Sequence, residues 1–201
     1  MSMTIDERKE AVTAVYDLTW AFRAHMDGVS KWRTPPVVDA LQFTHSETGE
    51  VSGAEINARN YARNNKPNHD LIGELADTAF MLVTALPVGQ VAMDDIVQKP
   101  SRLPATAERT RLSNIAKMVA DAWNEWESGN HSYAENQAAV ALHMVIDKIG
   151  SGAEVEVARR FLAIYAKHAP KANEEPQVVT YMRSLVDGMG ADAERQGGED
   201  E

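Results

Sequence analysis

Two pairs of acids, each pair spaced by three residues, hold most of the chemistry this sequence can offer. Glu47 and Glu50 lie in the segment SETGE, and Glu74 and Asp77 bound the segment ELAD. In a helix an i,i+3 spacing places both members of a pair on one face. The second pair sits among Leu71, Leu75, Ala79, Phe80, Leu82 and Val83, and acids are seldom placed in an apolar helix without a partner. Carboxylate oxygens are hard ligands. Magnesium is commonly held through a few of them, with water and phosphate oxygens completing its shell. Four acids converging without a cation would repel one another. The same spacing also suits the solvated faces of two amphipathic helices, so spacing alone leaves both readings open.

The elements that must position these acids read as helices throughout. Thr4 and Glu7 form a capping-box pattern, and Val12, Val15, Tyr16, Thr19, Phe22 and Met26 follow at helical spacing until Gly28. Pro35-Pro36 opens a second helix over about 37–59, because proline is tolerated in a first turn. Its apolar positions include Val37, Val38, Leu41, Val51, Ala54 and Ile56. A polar connection over 60–68 leads to a third helix at 69–86, which stops before Pro87. A connection that short favours an antiparallel hairpin, bringing the two acid pairs face to face. Pro87, Pro100 and Pro104 bracket an irregular stretch with one short turn at 93–98. Helices over 106–127, 132–149, 152–168 and 176–189 follow. Gly129 and Gly150 end the first two of these, and Ser132 with Glu135 suggests a second capping box.

Strand signals are nearly absent. The expected class is therefore all-α: an antiparallel helical bundle over 1–100 and a C-terminal helical extension over 101–190 that packs on the core or at an interface. Residues 191–201, with five acids and one arginine, read as a disordered tail.

Composition removes several alternatives. The chain has 201 residues, 20 Lys+Arg, 30 Asp+Glu and no cysteine, for a formal net charge of −10. Disulfide frameworks, thiolate zinc sites and cysteine nucleophiles are excluded. The acidic balance argues against broad contact with nucleic-acid phosphates, which needs clustered Lys and Arg. No apolar stretch suits a membrane span or signal peptide, so the expectation is a soluble, cytoplasmic protein. His45-Ser46-Glu47 imitates the HxE of zinc deaminases but lacks the downstream cysteines. Neither a GxGxxG loop nor a phosphate-binding P-loop occurs, and the histidines lack HExxH spacing. His143 reads as a hydrogen-bonded core residue, Trp123 and Trp126 as packing or an interface, and Asp94 and Asp95 as helix-start acids.

With the acids and their helices in place, residues 15–100 resemble the all-α nucleoside triphosphate pyrophosphatases. This is the MazG-like superfamily that includes dimeric dUTPases and dCTP pyrophosphatases. The family motif EExxE followed by ExxD corresponds to Ser46-Glu47-Thr48-Gly49-Glu50 and Glu74-Leu75-Ala76-Asp77. Gly49 before the second motif glutamate, the apolar run TAFMLVTAL after ExxD, and Trp32 with Pro35-Pro36 upstream also match. The chain departs from the pattern in two ways. Ser46 replaces the first motif glutamate, and the basic signature after ExxD is missing, with Lys99 the nearest substitute.

The resemblance implies that Glu47, Glu50, Glu74 and Asp77 bind Mg²⁺, with Mn²⁺ as a possible substitute. The reaction implied is hydrolysis of an NTP or dNTP to the monophosphate and pyrophosphate, as nucleotide pool sanitation or adjustment. Arg59, Arg63 and Lys66 could meet the β- and γ-phosphates, or simply solvate a connection. Trp32 could stack on a base or belong to the core. Asn57 could hydrogen-bond the base or sugar. Superfamily members associate through these helices, so a homodimer or higher homo-oligomer is expected. The alternatives are a non-catalytic helical scaffold or binding protein and a pyrophosphohydrolase for another nucleotide, such as phosphoribosyl-ATP or a signalling nucleotide.

Overall fold

The computed structural model describes residues 3–29, 33–64, 70–89, 94, 96, 111–168 and 175–196, with side chains at all of these except 29, 58–64 and 189–196. Among the described residues the chain is all-helical, in seven helices without strands. They are α1 (Ile5–Val29), α2 (Val37–Asn64), α3 (Leu71–Thr84), α4 (Leu112–Glu127), α5 (His131–Ile149), α6 (Ala153–His168) and α7 (Gln177–Gln196). None is long and apolar enough to cross a membrane.

The capping box at the start of α1 forms reciprocally. The Thr4 backbone N–H donates to Glu7 Oε2 at 2.7 Å, and the Glu7 N–H donates to Thr4 Oγ1 at 3.2 Å. The expected stripe from Val12 to Met26 is buried at every named position. Alpha-2 continues past residue 59 to Asn64, because nothing in Asn60-Tyr61-Ala62-Arg63 breaks a helix before Pro67. Ile56, expected on the apolar face, is exposed. It lies two residues after buried Ala54, about 200° around the helix and so on the opposite side. Alpha-3 begins two residues later than expected, at Leu71. Asp70 is its N-cap, its side chain accepting the Gly73 N–H at 2.8 Å.

The second expected capping box does not form. Alpha-5 starts at His131 with Asn130 as N-cap, which puts Ser132 inside the first turn. The tight link from α4 pulls the start forward. Gly129 has a φ of +83°, the Asn130 amide donates to Glu125 at 2.9 Å, and Trp126 stacks on His131 with centroids 4.1 Å apart. Alpha-7 runs to Gln196, so helix extends six residues into the stretch expected to be disordered. Ala191-Asp192-Ala193-Glu194-Arg195-Gln196 are mostly good helix formers. Residues 197–201 lie outside the described residues.

One apolar cluster extends from Met3 to Met182 and draws on all seven helices. Alpha-3 packs against α1, α2, α5 and α6, and α5 is buried almost all around from Ala138 to Ile146. Two polar contacts within this core join distant segments. Arg8 Nε of α1 lies 2.8 Å from Asp147 Oδ1 of α5, with both side chains almost fully buried. His143 is fully buried, and its Nε2 lies 2.9 Å from the Ile96 carbonyl oxygen, as expected of a core histidine.

Alpha-6 is docked by aromatic rings. Phe161 stacks on Phe22 at 4.6 Å and meets Phe80 edge-on at 5.2 Å, locking α6 against α1 and α3. The residue before it, Arg160, is thereby held facing α3.

Candidate metal centre

Alpha-2 and α3 pack side by side and bring three acids into one group. Ligand oxygens of Glu47, Glu50 and Glu74 all lie within 4.8 Å of one another. Glu47 and Glu74 are partly buried and Glu50 is exposed, so the group opens on one side to solvent. Local sequence explains the placement. Ala40, Leu41, Val51 and Ala54 bury one face of α2, and Leu75, Ala76, Ala79 and Val83 bury one face of α3. The acids fall at the margin where these faces meet. The neighbouring hydroxyls are satisfied within their own helices: Thr44 donates to the Ala40 carbonyl, Thr48 to that of His45 and Thr78 to that of Glu74.

Asp77 is not in this group. Arg160 of α6 takes it instead, Nε donating to Oδ1 at 2.9 Å and to Oδ2 at 3.1 Å, and Nη2 donating to Oδ2 at 2.5 Å. This is the fork geometry that guanidinium and carboxylate share. Its side chain is 33% exposed and that of Asp77 19%.

The crowding shows in the protonation of the acids. Burial pushes the Glu47 carboxyl up to about 7, helped by the negative charges of Asp77, Glu50 and Glu74 and opposed by Arg160. Glu74 is raised for the same reasons, burial first and then Asp77 and Glu50. Asp77 in turn holds the Arg160 guanidinium above its ordinary range. A donor set of hard oxygens partly withdrawn from water could hold a hard divalent cation.

A cleft of about 410 Å³ adjoins the acids. Glu47, Asp77, Phe80 and Met81 line one wall, and Arg160, Ile164 and Lys167 are on the other. A larger hollow of about 630 Å³ opens on the opposite face of α2, by His45, Ser52 and Arg111, away from the carboxylate group.

The other expected site residues are placed differently. Asn57 is half-buried on α2, seven residues and about 10.5 Å of helix rise beyond Glu50. Arg59 and Arg63 lie on the last turns of α2, but their side chains are outside the described set, as are Trp32, Lys66 and Lys99 entirely. Ser46 is exposed on α2.

Arg160 is the residue that sequence reasoning missed, although a signal was present. It lies in the apolar stripe of Ala153, Val157, Phe161 and Ile164, and a charge in such a stripe asks for a partner. The same argument singled out Glu74 and Asp77. The chain matches no family model, no curated protein and no solved structure.

Proposed function

We propose that this protein is a Mg²⁺-dependent nucleotide pyrophosphohydrolase of the MazG-like type, converting an NTP or dNTP to the monophosphate and pyrophosphate. The observation that carries the reading is the convergence of Glu47, Glu50 and Glu74 from two helices, with oxygens within 4.8 Å of one another beside a cleft. These three residues would hold the metal, with Asp77 at the edge of the set. Bound magnesium would supply Lewis acidity toward phosphate oxygens. The protein's own part is to fix the carboxylates on two packed helices, leave the Glu50 side open to the polyphosphate, and shelter the Glu47 side from bulk water.

On this reading the chain acts as a homodimer or higher homo-oligomer in the cytoplasm, with its helices antiparallel as in that superfamily. Phe43, 56% exposed and one turn before Glu47, leaves an apolar surface next to the acids for a second copy to cover. The test is pyrophosphate release from a panel of NTPs and dNTPs with Mg²⁺ or Mn²⁺, extended to phosphoribosyl-ATP and signalling nucleotides. No turnover on any member by folded protein would remove the reading.

One observation favours a non-catalytic helical binding protein instead: Arg160 already neutralises one of the four motif acids. Metal titration separates the two. An enzyme site gains thermal stability from Mg²⁺, and a scaffold whose acids are only a solvated face does not.

A further inference from the structure

We propose that Arg160 is the cation of this site that contacts the substrate's phosphates, and that it does so by exchanging partners. In this structure it pairs with Asp77. With metal and nucleotide present, Asp77 turns to the metal and the guanidinium to a phosphate oxygen. The inference rests on the pyrophosphohydrolase reading and adds the residue by which the C-terminal half takes part.

Four observations converge on it. Arg160 lines the cleft opposite Glu47 and Asp77, so an anion entering beside the acids meets it. Its side chain is one-third exposed, and a phosphate's oxygens fit the same fork that now holds the Asp77 carboxylate. Asp77 lines the same cleft as Glu47 and lies three residues beyond Glu74 on one face of α3, beside the three-acid group it would join. Phe161 is clamped between Phe22 and Phe80, so the backbone at 160 is fixed and the exchange needs only side-chain rotation. Lys167, the next cation on that wall, is seven residues further along α6 and about 10.5 Å away along the helix. Arg160 therefore stands alone of the two beside the acids. A polyphosphate approaching four carboxylates needs that positive charge at the rim.

The experiment uses the full chain, with circular dichroism to verify the fold of each variant. Arg160→Met frees Asp77, so Mn²⁺ without nucleotide should bind about tenfold tighter than to wild type. The same variant should lose Mg²⁺-dependent binding of inorganic pyrophosphate by at least about tenfold. Arg160→Lys, which keeps a point charge but not the fork, should fall between. Weaker Mn²⁺ binding in folded Arg160→Met would overturn the proposal, because a merely structural tether predicts loss. So would pyrophosphate binding equal to wild type, or none in wild type. If Arg160→Met does not fold, Arg160→Lys decides: unchanged pyrophosphate affinity overturns the proposal. The two readings can fail separately. Wild type that hydrolyses no nucleotide, yet binds pyrophosphate through Arg160, removes the hydrolase and leaves the cation. Arg160→Met that hydrolyses dNTPs at the wild-type rate and KM removes the cation and leaves the hydrolase.

Discussion

Arg160 and Asp77 are 83 residues apart in sequence, and the guanidinium grips both carboxylate oxygens through Nε and Nη2. The pair ties α6 to the acidic face of α3. Among the described residues, no ion pair is formed by Glu47, Glu50 or Glu74. The chemistry at α2 and α3 is therefore set in part from the far end of the chain.

Magnesium should raise the melting temperature of the wild-type protein and not that of Glu47→Gln or Glu74→Gln. At a hundredfold excess over Kd the gain is about 2.7 kcal/mol. For a chain of this size that corresponds to roughly 5–10 °C. Differential scanning calorimetry with Mg²⁺ against EDTA measures it. Equal shifts in all three proteins would remove the acids from the site. The same two variants should abolish pyrophosphate release while keeping wild-type helicity.

Metal-free protein should lose the stability contribution of Glu47 as pH rises. The folded carboxyl titrates near 7 and the unfolded one near its model value of 4.5. Between those values the native state binds more protons than the unfolded state, so stability falls with rising pH. The contribution is complete below about 4.5 and gone above about 7. His143 acts the other way: burial holds it below its ordinary value, so its contribution is lost as pH falls below about 6.5. The informative quantity is therefore the difference between wild type and Glu47→Gln in urea midpoints from pH 5 to 8. A difference that does not change with pH contradicts the assignment.

Truncating one member of the buried Arg8–Asp147 pair should be severe. Both side chains are nearly inaccessible, at 2% and 4%. Arg8→Met leaves a carboxylate in the core and should cost about 3–5 kcal/mol in chemical denaturation. Adding Asp147→Leu should recover part of that loss, because a buried charge goes with it. A double variant as unstable as the single one would argue against the electrostatic cause.

Gly73 is required by the cap of α3. A Cβ there would lie 2.1 Å from Asp70 Oδ2. Gly73→Ala should therefore displace the Asp70 side chain and cost about 0.5–2 kcal/mol, as Asp70→Ala should. The two changes remove the same hydrogen bond, so together they should cost less than their sum. Full additivity in urea midpoints would show that the cap is not the shared cause.

Much of this protein was legible in its sequence, because helices and their ends are local. The period of Val12 to Met26, the Thr4–Glu7 box and the stops at Gly129, Gly150 and Pro87 depend on residues within a few positions of each other. The i,i+3 acid pairs are likewise local, and a short connection favours packing of the two helices, which brings three of the four acids together. The places where local reading failed also have physical causes. The Ser132 box was forestalled by the contacts of Asn130 and Trp126 with the end of the preceding helix, and Ile56 fell on the far side of its helix.

Tertiary structure alone decided which charges meet. Arg8 with Asp147 and Arg160 with Asp77 are each separated by more than eighty residues, and nothing in the spacing of either pair announces its partner. Of these four, sequence marked only Asp77 as a charge set in an apolar helix, and so as a group that must be neutralised. Burial makes neutralisation compulsory, but only the packing of α6 and α5 onto α1 and α3 determines which opposite charge comes within reach.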